Sequence, residues 1–156
     1  MIIGEATRVM SLKDGSNKMS KSDPSENSRI NMTDGPDDIA RKIKKATSDS
    51  ELLPGNPKDL LNRPEAKNLL GIYAALSSQS VNQICSEFEG KKFSDFKNAL
   101  TDMAVSVLGP IGAEMSRLMS DPSYLDEVLR DGAERSRIIS DEVLSEVYEI
   151  IGFLRV

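Results

Sequence analysis

Residues 64–78 read PEAKNLLGIYAALSS, and this stretch divides the chain. Pro64 suits the first turn of a helix, where its missing N–H would have had no partner. Leu69 or Leu70, Ile72 or Tyr73, and Leu76 then recur at helical spacing. Everything downstream repeats that pattern. Ser80 is placed to cap a short helix ending near Phe88, where Glu89-Gly90 stops it. From Ser94 onward, Phe96, Leu100, Met103, Val107, Ile111, Met115 and Leu118 fall every three or four positions, and Pro110 is expected to kink or split the run. Asp121-Pro122 opens another short helix, expected to stop at Asp131-Gly132. A last helix over 133–151 carries Ile139, Val143, Val147 and Ile150, broadened by Leu144, Tyr148 and Ile151. The Met and Leu stripes of these helices read as core.

Upstream the character changes. Residues 51–63, ELLPGNPKDLLNR, hold two prolines and a glycine and read as a connector. Before them, TDGPDDIARKIKKATSDS (33–50) predicts a helix over about 36–47. Pro36 opens it, Asp37 and Asp38 face the positive end of the helix dipole, and Ile39, Ile43 and Ala46 form its apolar stripe. Arg41, Lys42, Lys44 and Lys45 surround that stripe, a pattern that fits a solvated helix face as well as a surface for phosphate or RNA. Lys13 to Thr33 is loop in composition. Arg8 to Leu12, within MIIGEATRVMSL, reads as a strand because Thr7 and Val9 are β-branched. One strand leaves its backbone donors and acceptors unpaired, so it is expected to belong to a sheet larger than this chain.

At 156 residues, 38% apolar and 29% charged, the chain suits one ordinary globular domain, or a small domain with an attached element. Its net charge of −5 is unevenly divided. Residues 1–50 are close to neutral and the remainder is acidic, which argues against broad, nonspecific nucleic-acid binding. No apolar run approaches the ~20 residues of a membrane span. The start, MIIGE, has no basic region followed by a long apolar stretch, so a soluble chain in the cytoplasm or inside an organelle is expected. Cys85 is the one cysteine, which excludes an internal disulfide framework or a cysteine zinc cluster, and its setting VNQICSEF predicts a small buried helix residue. There is no histidine. That removes Ser/His and Cys/His nucleophile systems, histidine general bases and histidine metal sites together.

Chemistry is therefore left to lysine, arginine, carboxylate, hydroxyl and backbone groups. The segment richest in them is GSNKMSKSDPSENS (15–28), where Lys18 and Lys21 stand three apart with hydroxyls between and after them. Phosphate-chain reactions run largely on positioning and electrostatic stabilisation of charge growing on the leaving oxygens. An ammonium about 4 Å from a phosphate oxygen is worth roughly 4 kcal/mol at an effective dielectric near 20, enough to matter to a rate. Two such groups on a mobile loop can close on a triphosphate and need no general base.

Lys18 to Ser22, KMSKS, resembles the signature loop of the class I aminoacyl-tRNA synthetases. RVMSL (8–12), SDP (22–24), RKIKKATSDS (41–50), NLLGIYAALSSQS (68–80), EFEGKKFSDFK (87–97), DGAERS (131–136) and VYEIIGF (147–153) follow in the order seen in the carboxyl-terminal half of tryptophanyl-tRNA synthetases. The resemblance covers essentially the whole chain, and the flanking blocks fit tryptophan better than the related tyrosine enzymes.

The resemblance implies a mainly α fold: a helical bundle of the anticodon-binding type, preceded by the last strand and KMSKS loop of a Rossmann-like domain. It places the catalytic-domain remnant at 1–50, the connector at 51–63 and the helical module at 64–156, with the last helix packing back toward the catalytic domain. It implies activation of tryptophan by ATP with magnesium to an aminoacyl-adenylate, then transfer to tRNA(Trp). Lys18 and Lys21 match the lysines that hold pyrophosphate. Met19, Ser20 and Ser22 match loop positions lining ATP, and Val9 matches the residue whose main chain meets the nucleotide. Arg41, Lys42, Lys44 and Lys45 are candidates for contacting tRNA. No tightly bound metal is expected in this chain.

Nothing in the sequence resembles the family's amino-terminal half, with its HIGH-like loop and tryptophan pocket. The chain is expected to be a piece of a longer protein, inactive alone and monomeric, whose whole forms a homodimer. Two other readings fit the same residues: a noncatalytic helical RNA-binding module with the loop as tether, and an interaction domain whose Ser-rich loop is a phosphorylation site.

Overall fold

A computed structural model describes residues 8–153, and within them the chain divides after Ala113 into two compact units. The order of helices is α1 (Pro36–Lys44), α2 (Pro64–Ser77), α3 (Val81–Phe88), α4 (Phe93–Met119) and α5 (Pro122–Ile151), with short 3-10 turns at Glu26–Ser28 and Pro57–Leu60. The structure is mainly helical, as the periodicity implies.

The expected strand at Arg8–Leu12 does not form among the described residues: Met10 pairs with Lys18 in one isolated antiparallel bridge. A strand needs a neighbour along its whole length, and here the backbone is satisfied piecemeal instead. The Val9 carbonyl accepts from the Met19 N–H (3.1 Å), the Ser11 N–H donates to the Asn17 carbonyl (2.7 Å) and the Leu12 N–H to the Ser28 carbonyl (2.8 Å). The Leu12 carbonyl accepts from the Thr47 N–H (2.7 Å), and the Thr47 hydroxyl donates to the Lys13 carbonyl (2.8 Å).

Around this segment the first unit builds one core. Leu12, Ile39 and Ile43 belong to the same buried cluster as Leu69 and Leu70 of α2 and Phe96 and Leu100 of α4. The aromatic residues join three helices: Tyr73, Phe88 and Phe96 have ring centroids 4.9 to 5.7 Å apart, two of the pairs edge to face. Such pairs add about 0.5–1.5 kcal/mol each beyond the area they bury. Cys85 is fully buried, as its setting implies, and burial followed by the nearby Asp59 charge pushes its thiol pKa up, away from reactivity.

Local signals set most helix ends. Ser80 and Gln83 form a reciprocal capping box at the start of α3. Pro36, Pro64 and Pro122 all sit in first turns. Helix α1 ends at Lys44, earlier than the expected 47, and the following Ala46 carbonyl accepts from the Lys97 ammonium of α4 (2.7 Å). Between α1 and α2, the Arg63 fork donates to both Asp49 carboxylate oxygens (2.9 and 2.6 Å) and to the Leu52 carbonyl (2.9 Å), drawing the connector closed.

Two expected breaks are absent. Pro110 lies inside α4, which is assigned helix from Phe93 to Met119 without interruption. A proline deletes one intrahelical bond, and residues on either side of it here are held by packing: Leu108 lies against the core and Gly112 is buried. Asp131-Gly132 likewise does not end a helix, since α5 runs through it. An interior glycine costs only about 1 kcal/mol relative to alanine unless it turns left-handed. At the end of α5 Gly152 does so, with φ of 73°, and the Phe153 N–H closes the end on the Tyr148 carbonyl (3.0 Å).

In the second unit the stripe expected to be core is open. No residue of α5 is buried, and Ile139, Val143 and Val147 are 68%, 57% and 41% exposed. Periodicity reported the apolar face correctly but could not say what covers it. No helix among the described residues is long and apolar enough to cross a membrane.

Candidate active-site loop

The loop after the Val9–Lys13 stem is fixed at both ends and open in the middle. At its entrance the Asp14 carboxylate accepts from the Ser16 N–H (2.8 Å) and the Asn17 amide (2.6 Å), an arrangement that forms the turn around Gly15. At its exit Arg29 gathers the chain, donating to the Asp23 carbonyl (2.9 Å), the Glu26 carboxylate (2.7 Å) and the Asn31 side chain (3.2 Å). Between these clamps lie Lys18 to Ser22.

Their side chains alternate in environment. Met19 is half-buried and packs against the core, whereas Lys18, Ser20, Lys21 and Ser22 are exposed. The Ser20 hydroxyl lies 3.0 Å from that of Ser22 and accepts from the Ser22 N–H (3.3 Å), which tightens the turn carrying Lys21. Among the described residues, neither the Lys18 nor the Lys21 ammonium forms an ion pair, although Arg29, Arg41, Lys42 and Arg63 of the first unit and Arg135 and Arg137 of α5 do. Two uncommitted positive charges therefore flank an inward-facing anchor. A ligand with a spread negative charge would meet them without first displacing a carboxylate.

The basic residues of α1 are spent differently. Lys42 is 1% exposed and its ammonium bonds to the Asp34 carboxylate, so it is withdrawn from any surface role: its stem completes the apolar stripe and its charge is neutralised inside. Burial raises the Asp34 pKa, but the Lys42 hydrogen bond, the Asn31 N–H and the Lys42 charge outweigh it, leaving the carboxyl below its ordinary value. Arg41 donates to Asp38 (2.6 Å) and to the Asn27 side chain (2.7 Å). Lys44 and Lys45 are exposed. The four do not form one cationic patch.

Three residues that sequence reasoning did not single out shape the site: Arg29, Gly15 and Asn68. The Asn68 carboxamide of α2 meets the stem, accepting from the Met10 N–H (2.9 Å) and donating to the carbonyls of Met10 (2.9 Å) and Ser11 (3.2 Å). The available signal was its place in NLLGIYAA, a polar side chain within an apolar helix. A cavity of about 460 Å³ beside the stem is bordered by Arg8, Val9, Gly15 and Asn68, and none of Lys18 to Ser22 lines it. Among the described residues no three of His, Cys, Asp and Glu gather to hold a metal ion.

With this geometry the family follows. Residues 3–109 match the family described as tRNA synthetases class I (W and Y), and the chain belongs to it. Within that family the chain is similar to tryptophan–tRNA ligases. That of Agrobacterium fabrum is 54% identical over 155 residues, covering 99% of this chain and 44% of the relative, and that of Nostoc sp. is 40% identical over 153 residues. Among solved structures, the tryptophanyl-tRNA synthetase of Mycoplasma pneumoniae superposes with a TM-score of 0.77 at 28% identity, covering 97% of this chain and 47% of that one. The tryptophanyl-tRNA synthetase of Campylobacter jejuni complexed with ADP and tryptophan gives 0.67 at 26% identity, covering 93% and 43%. The chain thus spans less than half the length of the proteins it resembles.

Proposed function

We propose that residues 1–50 contribute the pyrophosphate-binding loop to an active site completed by an upstream nucleotide-binding half, that 51–63 connect, and that 64–156 form the helical tRNA-recognition module. In the whole protein the tryptophan carboxylate attacks the α-phosphorus of ATP, giving tryptophanyl-adenylate and pyrophosphate, and the tryptophan then passes to tRNA(Trp). Lys18 and Lys21 neutralise the charge that builds on the departing pyrophosphate. Met19, Ser20, Ser22 and the Val9 main chain line the ATP. Magnesium enters with ATP as part of the substrate. Arg41, Lys44 and the C-cap residue Lys45 remain the tRNA candidates at α1, and the reaction is placed in the cytoplasm.

The open apolar face of α5 is assigned to the same upstream half. The relatives are more than twice as long as this chain, so a partner surface of matching origin is available within one polypeptide. The whole protein is assigned as a homodimer and the 156-residue chain as a monomer without adenylation activity.

The observation that carries this reading is the pair of ammonium groups, without ion pairs among the described residues, that flank half-buried Met19 on a loop whose stem is held by backbone hydrogen bonds. In the full-length protein, Lys18→Ala or Lys21→Ala should lower tryptophan-dependent ATP/pyrophosphate exchange far more than tryptophan affinity. Equal loss of both would make the loop structural. Exchange by the isolated 156-residue chain would overturn the division of labour.

A further inference from the structure

The stem of the lysine loop has no adjacent strand along Met10 and Ser11 among the described residues, yet its polar backbone is not left bare. Asn68 presents one acceptor and two donor bonds to this stretch, which is what a neighbouring strand would offer. It is 8% exposed and comes from a helix 58 positions away in sequence. One turn earlier on the same helix, the loop makes a second contact with α2. A methyl group added at Gly15 would lie 2.4 Å from the Pro64 carbonyl carbon and 2.6 Å from the Glu65 nitrogen, backbone atoms that cannot swing aside. The loop entrance is thus seated on the first turns of α2 by one close approach and one carboxamide.

We propose that Asn68 is a positioning residue for adenylate formation: it fixes the register of the Met10–Lys18 pairing and so sets where Lys18 and Lys21 stand. The proposal rests on the functional reading above. Met10 faces Lys18 across the isolated bridge, and the bonds on either side of that bridge run from Ser11 to Asn17 and from Met19 to Val9. A shift of the Met10 peptide is therefore passed directly to the residues bearing and anchoring the first lysine. Because displacement of a reacting arrangement by ~1 Å costs about 100-fold, the coupling should be visible in rate.

The test uses the full-length protein. Asn68→Leu keeps the side chain's volume but removes all three bonds. It should lower the single-turnover rate of adenylate formation by about 10- to 100-fold while tryptophan affinity changes less than about twofold. Gly15→Ala, which disturbs the second contact and leaves Asn68 intact, should give the same split and keeps the idea testable if Asn68→Leu does not fold. The decisive arm places Asn68→Leu in a Lys18→Ala/Lys21→Ala background. If Asn68 acts through the lysines, its substitution there should have almost no further effect on rate. A full additional loss in that background, or parallel loss of rate and tryptophan affinity in the single variants, would overturn the proposal. Should the lysine variant itself adenylate normally, the functional reading fails. Should the lysine variant be impaired while Asn68→Leu and Gly15→Ala keep full rate, only the Asn68 inference fails.

Discussion

Two stretches of this chain carry clustered cations, and the structure treats them in opposite ways. On the loop, Lys18 and Lys21 are exposed and without an ion pair among the described residues. At α1 the Lys42 charge is sealed against Asp34, Arg41 is committed to Asp38 and Asn27, and only Lys44 and Lys45 of its four cations stay exposed without an ion pair among the described residues. The difference lies in the carboxylates. Asp38 lies one turn before Arg41, and Asp34, just ahead of the α1 N-cap, reaches Lys42, whereas the acidic residues nearest the loop lysines are engaged elsewhere: Asp14 holds the entrance turn, and Asp23 accepts from the Ser25 N–H (2.7 Å). Clustered charge in a sequence shows electrostatic capacity; the placement of counter-charges decides whether that capacity faces a ligand.

The contrast can be broken or sharpened by measurement. The largest effect is expected on rate. With about 4 kcal/mol per ammonium at an effective dielectric near 20, removing both loop lysines in the full-length protein should slow adenylate formation by three decades or more. The same substitutions should move the urea midpoint by less than the equivalent of about 0.5 kcal/mol, since surface positions without partners rarely matter to stability.

Lys42→Ala should behave inversely. It leaves the Asp34 carboxylate without its main counter-charge and should destabilise the fold by about 3 kcal/mol, read by urea unfolding. Unchanged stability would mean the pair is no more than a surface contact.

The third effect is pH dependence. The Asp34 and Asp49 carboxyls are both held below their ordinary values: burial opposes this, but the Lys42 and Arg63 hydrogen bonds respectively outweigh it. A carboxyl lowered in the folded state adds stability that is present above its unfolded pKa of about 4 and is lost as pH falls through the folded value. Unfolding free energy should therefore drop as pH falls below about 4, and Asp34→Asn should flatten part of that drop. Lys18→Ala should leave the profile unchanged.

The smallest effect lies outside both clusters. Ser78 ends α2 with φ of 57°, a left-handed conformation that costs a residue bearing a Cβ about 1 kcal/mol. Ser78→Gly should raise stability by up to that amount, measured as a higher urea midpoint with rate unaltered.

Much of the helical half was legible because helix signals are local. Pro64, the Ser80 to Gln83 box and the period of Phe96, Leu100 and Met103 each act within a turn or two, and helices form where they indicate. The misreadings have a common origin. Gly132 carries a breaking tendency of about 1 kcal/mol and Pro110 one of about 3 kcal/mol, and helix continues through both. Arg8–Leu12 has strand composition, but a strand is defined by its neighbours, and here they are a loop, a threonine and an asparagine.

The sequence by itself excluded histidine-based chemistry, drew attention to the KMSKS string, and determined where apolar helical faces lie. Only the tertiary structure decided which cations are free, that Asn68 and Gly15 tie the loop to α2, and that Lys42 belongs to the interior. Residue type and period are properties of neighbouring positions along the chain. Whether a charge is neutralised or a peptide group is paired depends on groups brought from 8 to 58 positions away, and that distance is closed only by folding.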